Sequence, residues 1–235
     1  MLELISFFTR LPTRRTSIEK AAELSYLLPF LGIIIGIIVG TFAFLTFRFI
    51  DRLLATLLTV IFLYLVTGLN HLDGLADFAD GVYAGGSRER KARIMKDTQT
   101  GIAGITFTLF TVLFLVYSFH AIGGDLFKII VIESGAKTAM LSSIFFGKPM
   151  KKGMGRTFIK KLNRKVLPLS ILLSVVFSFI LLHFFGMLAI LVSILTSFIL
   201  VKIAHKNFGA INGDVIGAIN ELSRVASLLV LVILV

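Results

Sequence analysis

Three closely spaced aspartates are the strongest chemical feature of this sequence. Asp73, Asp77 and Asp80 lie in the stretch 70–81. An α-helix has about 3.6 residues per turn, so steps of four and seven residues place all three carboxylates on one face. Like charges on adjacent turns repel each other, which predicts a cation among them. A hard divalent ion suits oxygen ligands, magnesium before manganese or calcium; a solvated acidic helix end is the alternative interpretation.

A second acidic element lies near the C-terminus, in the stretch 209–221. Asp214 and Glu221 are seven residues apart, so they also face one way on a helix. Asp214 follows an Asn-Gly pair, and an acid there also suits the N-terminus of a helix. Glu221 does not fit that explanation because it lies about two turns into an apolar helix, where Arg224 is placed to pair with it.

The stretch 85–101 combines glycines with a dense set of basic residues. Arg88, Arg93 and Lys96, with Asp97 directly after the last of them, suit a surface that binds phosphate groups. A basic loop that only sets membrane topology is the alternative. The longer basic stretch 148–165 permits the same two interpretations.

The amino-acid composition indicates the class of protein that positions these residues. Of the 235 residues, 57 % are hydrophobic, well above the roughly 45–50 % of soluble domains, so the chain is predicted to be an integral membrane protein. The absence of cysteine excludes disulfides, thiolate nucleophiles and cysteine-bound zinc. The net charge of +11 is typical of basic loops that set the topology of a membrane protein and contact anionic lipid. It does not indicate nucleic acid as a partner. Within one apolar stretch, Glu133 and Lys137 are spaced to neutralise each other.

The apolar runs predict an all-α, polytopic membrane helix bundle of about seven transmembrane helices in a single domain, 1–235. The predicted spans are Leu27 to Phe49, Leu53 to Leu69, Ile102 to Ile122, Leu126 to Phe146, Leu167 to Leu182, Met187 to Ala204 and Val215 to Val235. Residues 1–26 form an interfacial segment before the first span. Most of the 24 basic residues fall on one side of this arrangement, which predicts a cytoplasmic N-terminus. Gly32, Gly36 and Gly40 align on one face and predict close helix packing.

Several separate elements of the sequence match one known family. They are Phe8-Thr9-Arg10-Leu11-Pro12, His71-Leu72-Asp73-Gly74-Leu75-Ala76-Asp77 with Ala79-Asp80-Gly81, Ile94-Met95-Lys96-Asp97 with Gly101 and Gly104, Gly153-Met154-Gly155, and Asn212-Gly213-Asp214 with Gly217-Ala218 and Glu221. In these elements the chain resembles the cobalamin synthases, the adenosylcobinamide-GDP ribazoletransferases. The resemblance extends from residue 8 to about residue 221, nearly the whole chain.

The resemblance implies the late joining step of vitamin B12 assembly. In that step, α-ribazole or its 5′-phosphate replaces GMP on adenosylcobinamide-GDP. A displacement at a pyrophosphate needs a metal to neutralise charge and align the reacting oxygens. The resemblance implies three sets of site residues. The ligands of Mg²⁺ would be Asp73, Asp77, Asp80 and Asp214, and the general base would be Asp80 or Glu221. The groups that bind substrate phosphates or adjoin them would be Lys96, Arg88, Arg93, Asp97 and Gly213.

Other functions are compatible with parts of the pattern. A membrane transferase that uses CDP-linked alcohols also carries a helix-borne acidic cluster with Mg²⁺, but its usual pattern has arginine where this chain has Asp77. An ion-coupled transporter would explain acids within the membrane, yet most acids here lie at the cytoplasmic ends of helices. A scaffold without turnover leaves the clustered carboxylates unexplained. We therefore expect a multi-pass enzyme of the cell membrane with its site facing the cytoplasm; a homo-oligomer is compatible with the sequence.

Overall fold

The computed structural model describes residues 1–14 and 16–234, and all regular elements within these ranges are helical. The helices are α1 (Leu2–Phe8), α2 (Ile18–Glu23), α3 (Leu28–Phe49), α4 (Arg52–Thr67), α5 (Asn70–Tyr83), α6 (Arg88–Ile94), α7 (Ile102–Ile122), α8 (Leu126–Phe146), α9 (Met154–Lys161), α10 (Leu167–Phe208) and α11 (Gly213–Leu234), with one 3₁₀ turn at Ser25–Leu27. Val235, where the last predicted span ends, lies outside the described residues.

Five of these helices are long and apolar enough to cross a membrane. They are Ser25–Phe49 (the 3₁₀ turn with α3), α7, α8, α10 and α11, and the bent pair α4–α5 makes up to six. Their surfaces carry many exposed leucine, isoleucine and phenylalanine side chains, as expected where lipid rather than water surrounds the helices. The predicted class, an all-α polytopic membrane bundle, is therefore confirmed.

The longest helix, α10, folds back on itself. At 1.5 Å per residue a continuous helix of its 42 residues would measure about 63 Å, roughly twice the thickness of a hydrocarbon core. The backbone leaves the helical region at Leu182 and His183, and a Cβ on Gly186 would clash with the carbonyl oxygen of Ser178. Because residues eight apart touch, the two arms of α10 run antiparallel, as the two separately predicted spans require. Counting both arms gives the predicted seven crossings; that number and the cytoplasmic N-terminus stay predictions.

A sharp bend separates α4 from α5. The second predicted span continues to Leu69, but α4 ends at Thr67 and the chain turns by 92° into α5. Gly68 makes this turn with φ of +72°, a conformation that is unfavourable for residues with a Cβ. The side chain of Arg10 lies over this glycine, 2.9 Å from where a Cβ would be. The three aspartates therefore lie on a short helix of their own beyond the bend, not on a straight continuation of α4.

Helix α8 forms the centre of the bundle. Its residues from Ile129 to Ile144 are all buried, because α3, α10 and α11 pack around it. A Cβ on Gly32 would lie 2.6 Å from the Cα of Ser134, and one on Gly36 would lie 2.5 Å from the Cα of Ile130. The predicted role of the glycine stripe in close helix packing is thus confirmed.

Candidate active site

The two acidic elements meet where α5 crosses α11. Gly74 lies so close to α11 that a Cβ on it would be 2.9 Å from both the Cα and the carbonyl oxygen of Asp214. One turn away, a Cβ on Gly217 would be 3.1 Å from the Cα of His71. The helices therefore run antiparallel in backbone contact. A Cβ at Gly74 would force the helices to shift, and one at Gly217 would make an unusually tight contact, so the glycines in both motifs have a packing function.

This crossing gathers the negative charges of both helices. Asp73, Asp80 and Asp214 each repel the carboxylate of Asp77, and Asp214 is also repelled by Asp73 and attracted by Lys96. Asp73 is exposed, whereas Asp77 and Asp214 are half-buried. We call Asp73, Asp77 and Asp214 the acidic cluster. The sequence predicts that they belong to one site, and the structure brings them together from two helices.

The N-terminus of α11 is capped without the carboxylate of Asp214. Oδ1 of Asn212 accepts the backbone N–H of Val215 at 3.1 Å, which is the usual capping contact. The side-chain amide of Asn212 also donates to Oδ2 of Asp214 at 2.5 Å. Asn212 therefore caps the helix and orients the aspartate. Asp214 itself lies in the first turn of α11, where the helix dipole favours a carboxylate.

The carboxylate of Asp80 binds the start of α7. One carboxylate oxygen accepts the backbone N–H of Gly101 at 2.7 Å and the other accepts that of Gly104 at 2.8 Å. These are unpaired donors at the start of α7, and a carboxylate is favourable there because of the helix dipole. Asp80 thus fastens α7 to α5. Sequence periodicity could not separate it from the acidic cluster, since all three aspartates of α5 share one face.

Glu221 lies in a buried charge network between α4, α8 and α11. Its carboxylate accepts hydrogen bonds from Arg224 at 2.6 Å, from the hydroxyl of Tyr64 at 3.0 Å and from Asn220 at 2.9 Å. Arg224 also binds Glu133, at 2.6 and 3.2 Å. The predicted pairing of Glu221 with Arg224 is confirmed, and every oxygen of Glu221 has a donor.

Lys137 completes this network. Its ammonium donates to Asn220 at 2.7 Å, so it reaches α11 rather than binding Glu133 within α8. Both residues are fully buried. With Glu133, Glu221 and Arg224, the network contains two negative and two positive charges, which offsets the high cost of charge in this interior.

The chemistry of the acidic cluster fits Mg²⁺. Its side chains offer only carboxylate oxygens, which this hard cation prefers. Within residues 1–14 and 16–234, no group of three His, Cys, Asp or Glu side chains is close enough to hold a metal ion by itself. Mg²⁺ is usually held by one or two carboxylates together with water and substrate phosphates rather than by an all-protein cage. Two acids with a bound pyrophosphate would meet that requirement.

A basic cleft contains Lys96, the cation that attracts Asp214. This cleft has a volume of about 610 Å³ and contains Arg88, Lys96, Lys151 and Lys152 beside the chain at Gly209. Arg88 is held in place because its Nε donates to the carbonyl of Lys206 at 3.0 Å. Such a set of cations suits phosphate groups.

Two predicted residues of the same loop lie outside the lining of this cleft. Arg93 is exposed in the last turn of α6. The carboxylate of Asp97 is exposed and accepts the backbone N–H of Gln99 at 3.2 Å. Gly213, also predicted to contribute to binding, is the first residue of α11 and lines a different, more enclosed cavity.

That enclosed cavity has a volume of about 300 Å³ and lies on the other side of Asp214. Six segments form it: residues 6–10, the end of α4, the start of α5, the end of α8, and the N-terminal parts of α9 and α11. Gly155 permits the contact between α9 and α11, since a Cβ on it would lie 2.8 Å from the backbone of Asn212. Sequence reasoning did not assign site roles to the lining residues Arg10 and His71. The signal available was that both belong to motifs shared with the resembled family.

Comparison with known proteins identifies the family of this chain. The family model described as cobalamin-5-phosphate synthase matches residues 1–232. Similar curated proteins include the adenosylcobinamide-GDP ribazoletransferases of Pyrococcus furiosus (38 % identical; 98 % of each chain covered), Thermococcus onnurineus (37 %; 98 % of this chain and 96 % of that one) and Methanococcoides burtonii (33 %; 92 % and 84 %). No solved structure matches. The chain belongs to the cobalamin-5-phosphate synthase family.

Proposed function

We propose that this chain transfers the phosphocobinamide group of adenosylcobinamide-GDP to α-ribazole or its 5′-phosphate and releases GMP. Relatives that match this chain over nearly their whole length are named for this reaction. The observation that carries the proposal is the backbone contact of Gly74 with Asp214. This contact joins the acids of α5 and α11, and the charge of Lys96 attracts Asp214. Carboxylates near cations are the charge pattern that a displacement at a pyrophosphate requires.

The proposed roles follow from which side chains are free. Asp73 and Asp77 hold Mg²⁺, which supplies charge neutralisation on the pyrophosphate. Lys96 and Arg88 bind phosphate oxygens of the donor from the basic cleft. Asp214 accepts the proton of the attacking hydroxyl, because it alone among these acids lines the enclosed cavity.

These roles differ from those inferred from the resemblance. There, Asp80 or Glu221 served as the base and Asp214 as a metal ligand. In the structure, both oxygens of Asp80 bind backbone N–H groups, and Glu221 is 1 % exposed within its network. Both carboxylates are already bound in contacts that join helices, whereas Asp214 borders the enclosed cavity.

We further propose that the enzyme lies in the cell membrane with this site facing the cytoplasm. The N-terminal segment, the basic cleft and the basic stretch 148–165 all surround the same end of the bundle. An excess of Lys and Arg in such segments keeps them on the cytoplasmic side. GMP would then be released into the cytoplasm.

Turnover by the purified protein in liposomes tests the function. The assay contains adenosylcobinamide-GDP, α-ribazole 5′-phosphate and Mg²⁺, and it measures GMP together with the new corrinoid. We expect product from the wild type, little with EDTA, and little from Asp77→Asn. Asp51→Asn is the matched control, because this exposed acid caps the start of α4, far from α5 along that helix, and asparagine also serves as a helix cap. Absence of product from folded protein, with turnover of CDP-alcohol donors instead, would overturn the proposal.

A further inference from the structure

The lining of the enclosed cavity contains an apolar set and a polar set of residues, which we call its apolar wall and its polar wall. Phenylalanine rings from two segments form much of the apolar wall: Phe7 and Phe158 lie with ring centroids 5.2 Å apart, and Phe8 and Phe158 lie 5.5 Å apart. Met140, Ile144 and Met154 extend it. Aromatic rings at such distances leave faces and edges on which a further flat ring can pack.

The polar wall contains a buried group without a partner. The His71 side chain lines the cavity, is 8 % exposed and lies parallel to the Phe8 ring at 6.2 Å. Among the residues that the structure describes, its Nδ1 has no hydrogen-bond partner. A buried polar atom in this state is costly, and most such atoms in native proteins are paired. A bound ligand with a matching polar atom would satisfy it.

Two further polar side chains, those of Arg10 and Asp214, line the cavity. Arg10 reaches the cavity from the N-terminal segment, and its backbone is fixed by a hydrogen bond to the carbonyl of Val66 at 2.8 Å. Asp214 borders the cavity on the side of the acidic cluster. A ligand here would therefore meet a cation, a buried imidazole and a carboxylate, while its apolar part contacted the phenylalanine rings.

We propose that this cavity is the subsite for the nucleophile, an apolar bicyclic aromatic base joined to ribose, with His71 as its buried hydrogen-bond partner. The inference rests on the proposed function, which requires a ribazole acceptor. Small-molecule sites occupy about 300–1,000 Å³, so the cavity fits a single nucleoside and is far too small for a corrinoid nucleotide. The base packs on the phenylalanine rings, the ribose lies toward Asp214, and a 5′-phosphate is bound by Arg10.

Direct binding tests the subsite without turnover. The chain has no tryptophan, so Phe7→Trp introduces a single fluorescent reporter in the cavity. Phe179→Trp, at a position 49 % exposed on the outer surface of α10, is the matched control. Titration with α-ribazole 5′-phosphate in nanodiscs should quench the first reporter in a saturable manner and leave the second unchanged. Equal responses of both reporters, or none, would overturn the proposal.

The role of His71 is tested in the same reporter protein. His71→Ala should weaken the Kd for α-ribazole 5′-phosphate roughly tenfold, the effect of one lost buried hydrogen bond, and His71→Asn should recover part of it. In the turnover assay His71→Ala should raise the KM for the acceptor and leave that for the donor within about twofold. An unchanged Kd and acceptor KM would contradict the assignment.

A second variant does not depend on replacing a buried residue. Met154 lines the cavity yet is 59 % exposed, so Met154→Trp adds bulk at the cavity without changing the core. We expect a higher acceptor KM and an unchanged melting temperature. The two proposals fail separately: saturable binding without GMP release removes the function but keeps the subsite, whereas turnover with no response at the cavity reporter removes the subsite alone.

Discussion

Adding one methyl group at Gly74 should uncouple the two halves of the acidic cluster. In the structure a Cβ at this position lies 2.9 Å from the Cα and carbonyl oxygen of Asp214, and ordinary contact is 3.4–4 Å. Neither atom belongs to a flexible side chain, so α5 and α11 must separate by about 0.5 to 1.1 Å. A misplacement of about 1 Å can cost roughly 100-fold in rate. We therefore expect Gly74→Ala to lower kcat about tenfold to a hundredfold.

The assay is GMP release at saturating donor and acceptor, with the melting temperature measured on the same sample. Overpacking in a core typically costs about 1–3 kcal/mol, so the variant should remain folded with a modestly lower melting temperature. Gly85→Ala is the control, because a Cβ at Gly85 meets no atom within 4 Å. Wild-type kcat in folded Gly74→Ala, or an equal loss in Gly85→Ala, would refute the reasoning.

Other contacts make separate predictions. Arg224→Met removes the cation that binds both carboxylates of the buried network and should lower the free energy of unfolding by about 3–5 kcal/mol; a loss below about 1 kcal/mol in a detergent unfolding titration would count against the network. Asp80→Asn should lower the melting temperature by weakening the cap on α7, yet leave the Mg²⁺ concentration for half-maximal rate unchanged, because Asp80 is not a metal ligand in this account. Lys96→Met should raise the KM for the donor and weaken its dependence on salt, and an unchanged donor KM would exclude Lys96 from the phosphate site.

Much of the fold follows from the hydrophobic pattern. Predicted spans and helices agree closely for α3, α7, α8 and α11. For α7 and α8 the apolar run ends at a glycine that also ends the helix. The hairpin in α10 was predicted as two spans, and the backbone leaves the helical region at Leu182 and His183, three residues before Gly186. The bend at Gly68 was missed, since one glycine in an apolar run does not reveal that Arg10, far away in sequence, will pack over it.

The site shows where sequence reasoning stops. Asp73, Asp77 and Asp214 were assigned together and lie together, because charge on adjacent turns indicates a shared partner. Asp80 has the same periodicity, but its partners are backbone N–H groups of α7, and contacts of that kind leave no periodic signal. Glu221 was recognised as unusual for its depth, yet only the structure shows that Glu133 and Tyr64 surround its ion pair. The unpartnered nitrogen of His71 is likewise a property of packing.

The most direct test of the central claim is a double-mutant cycle on the acids contributed by the two helices. Asp77→Asn and Asp214→Asn, singly and combined, are compared with wild type by GMP release at saturating substrates and Mg²⁺. If both carboxylates serve one site, each single change should lower kcat by about 10²- to 10³-fold, and the double variant should be little worse than either, because groups that act as a unit are not additive. Near-normal kcat in either single variant, or multiplication of the two losses in the double variant, would contradict the account.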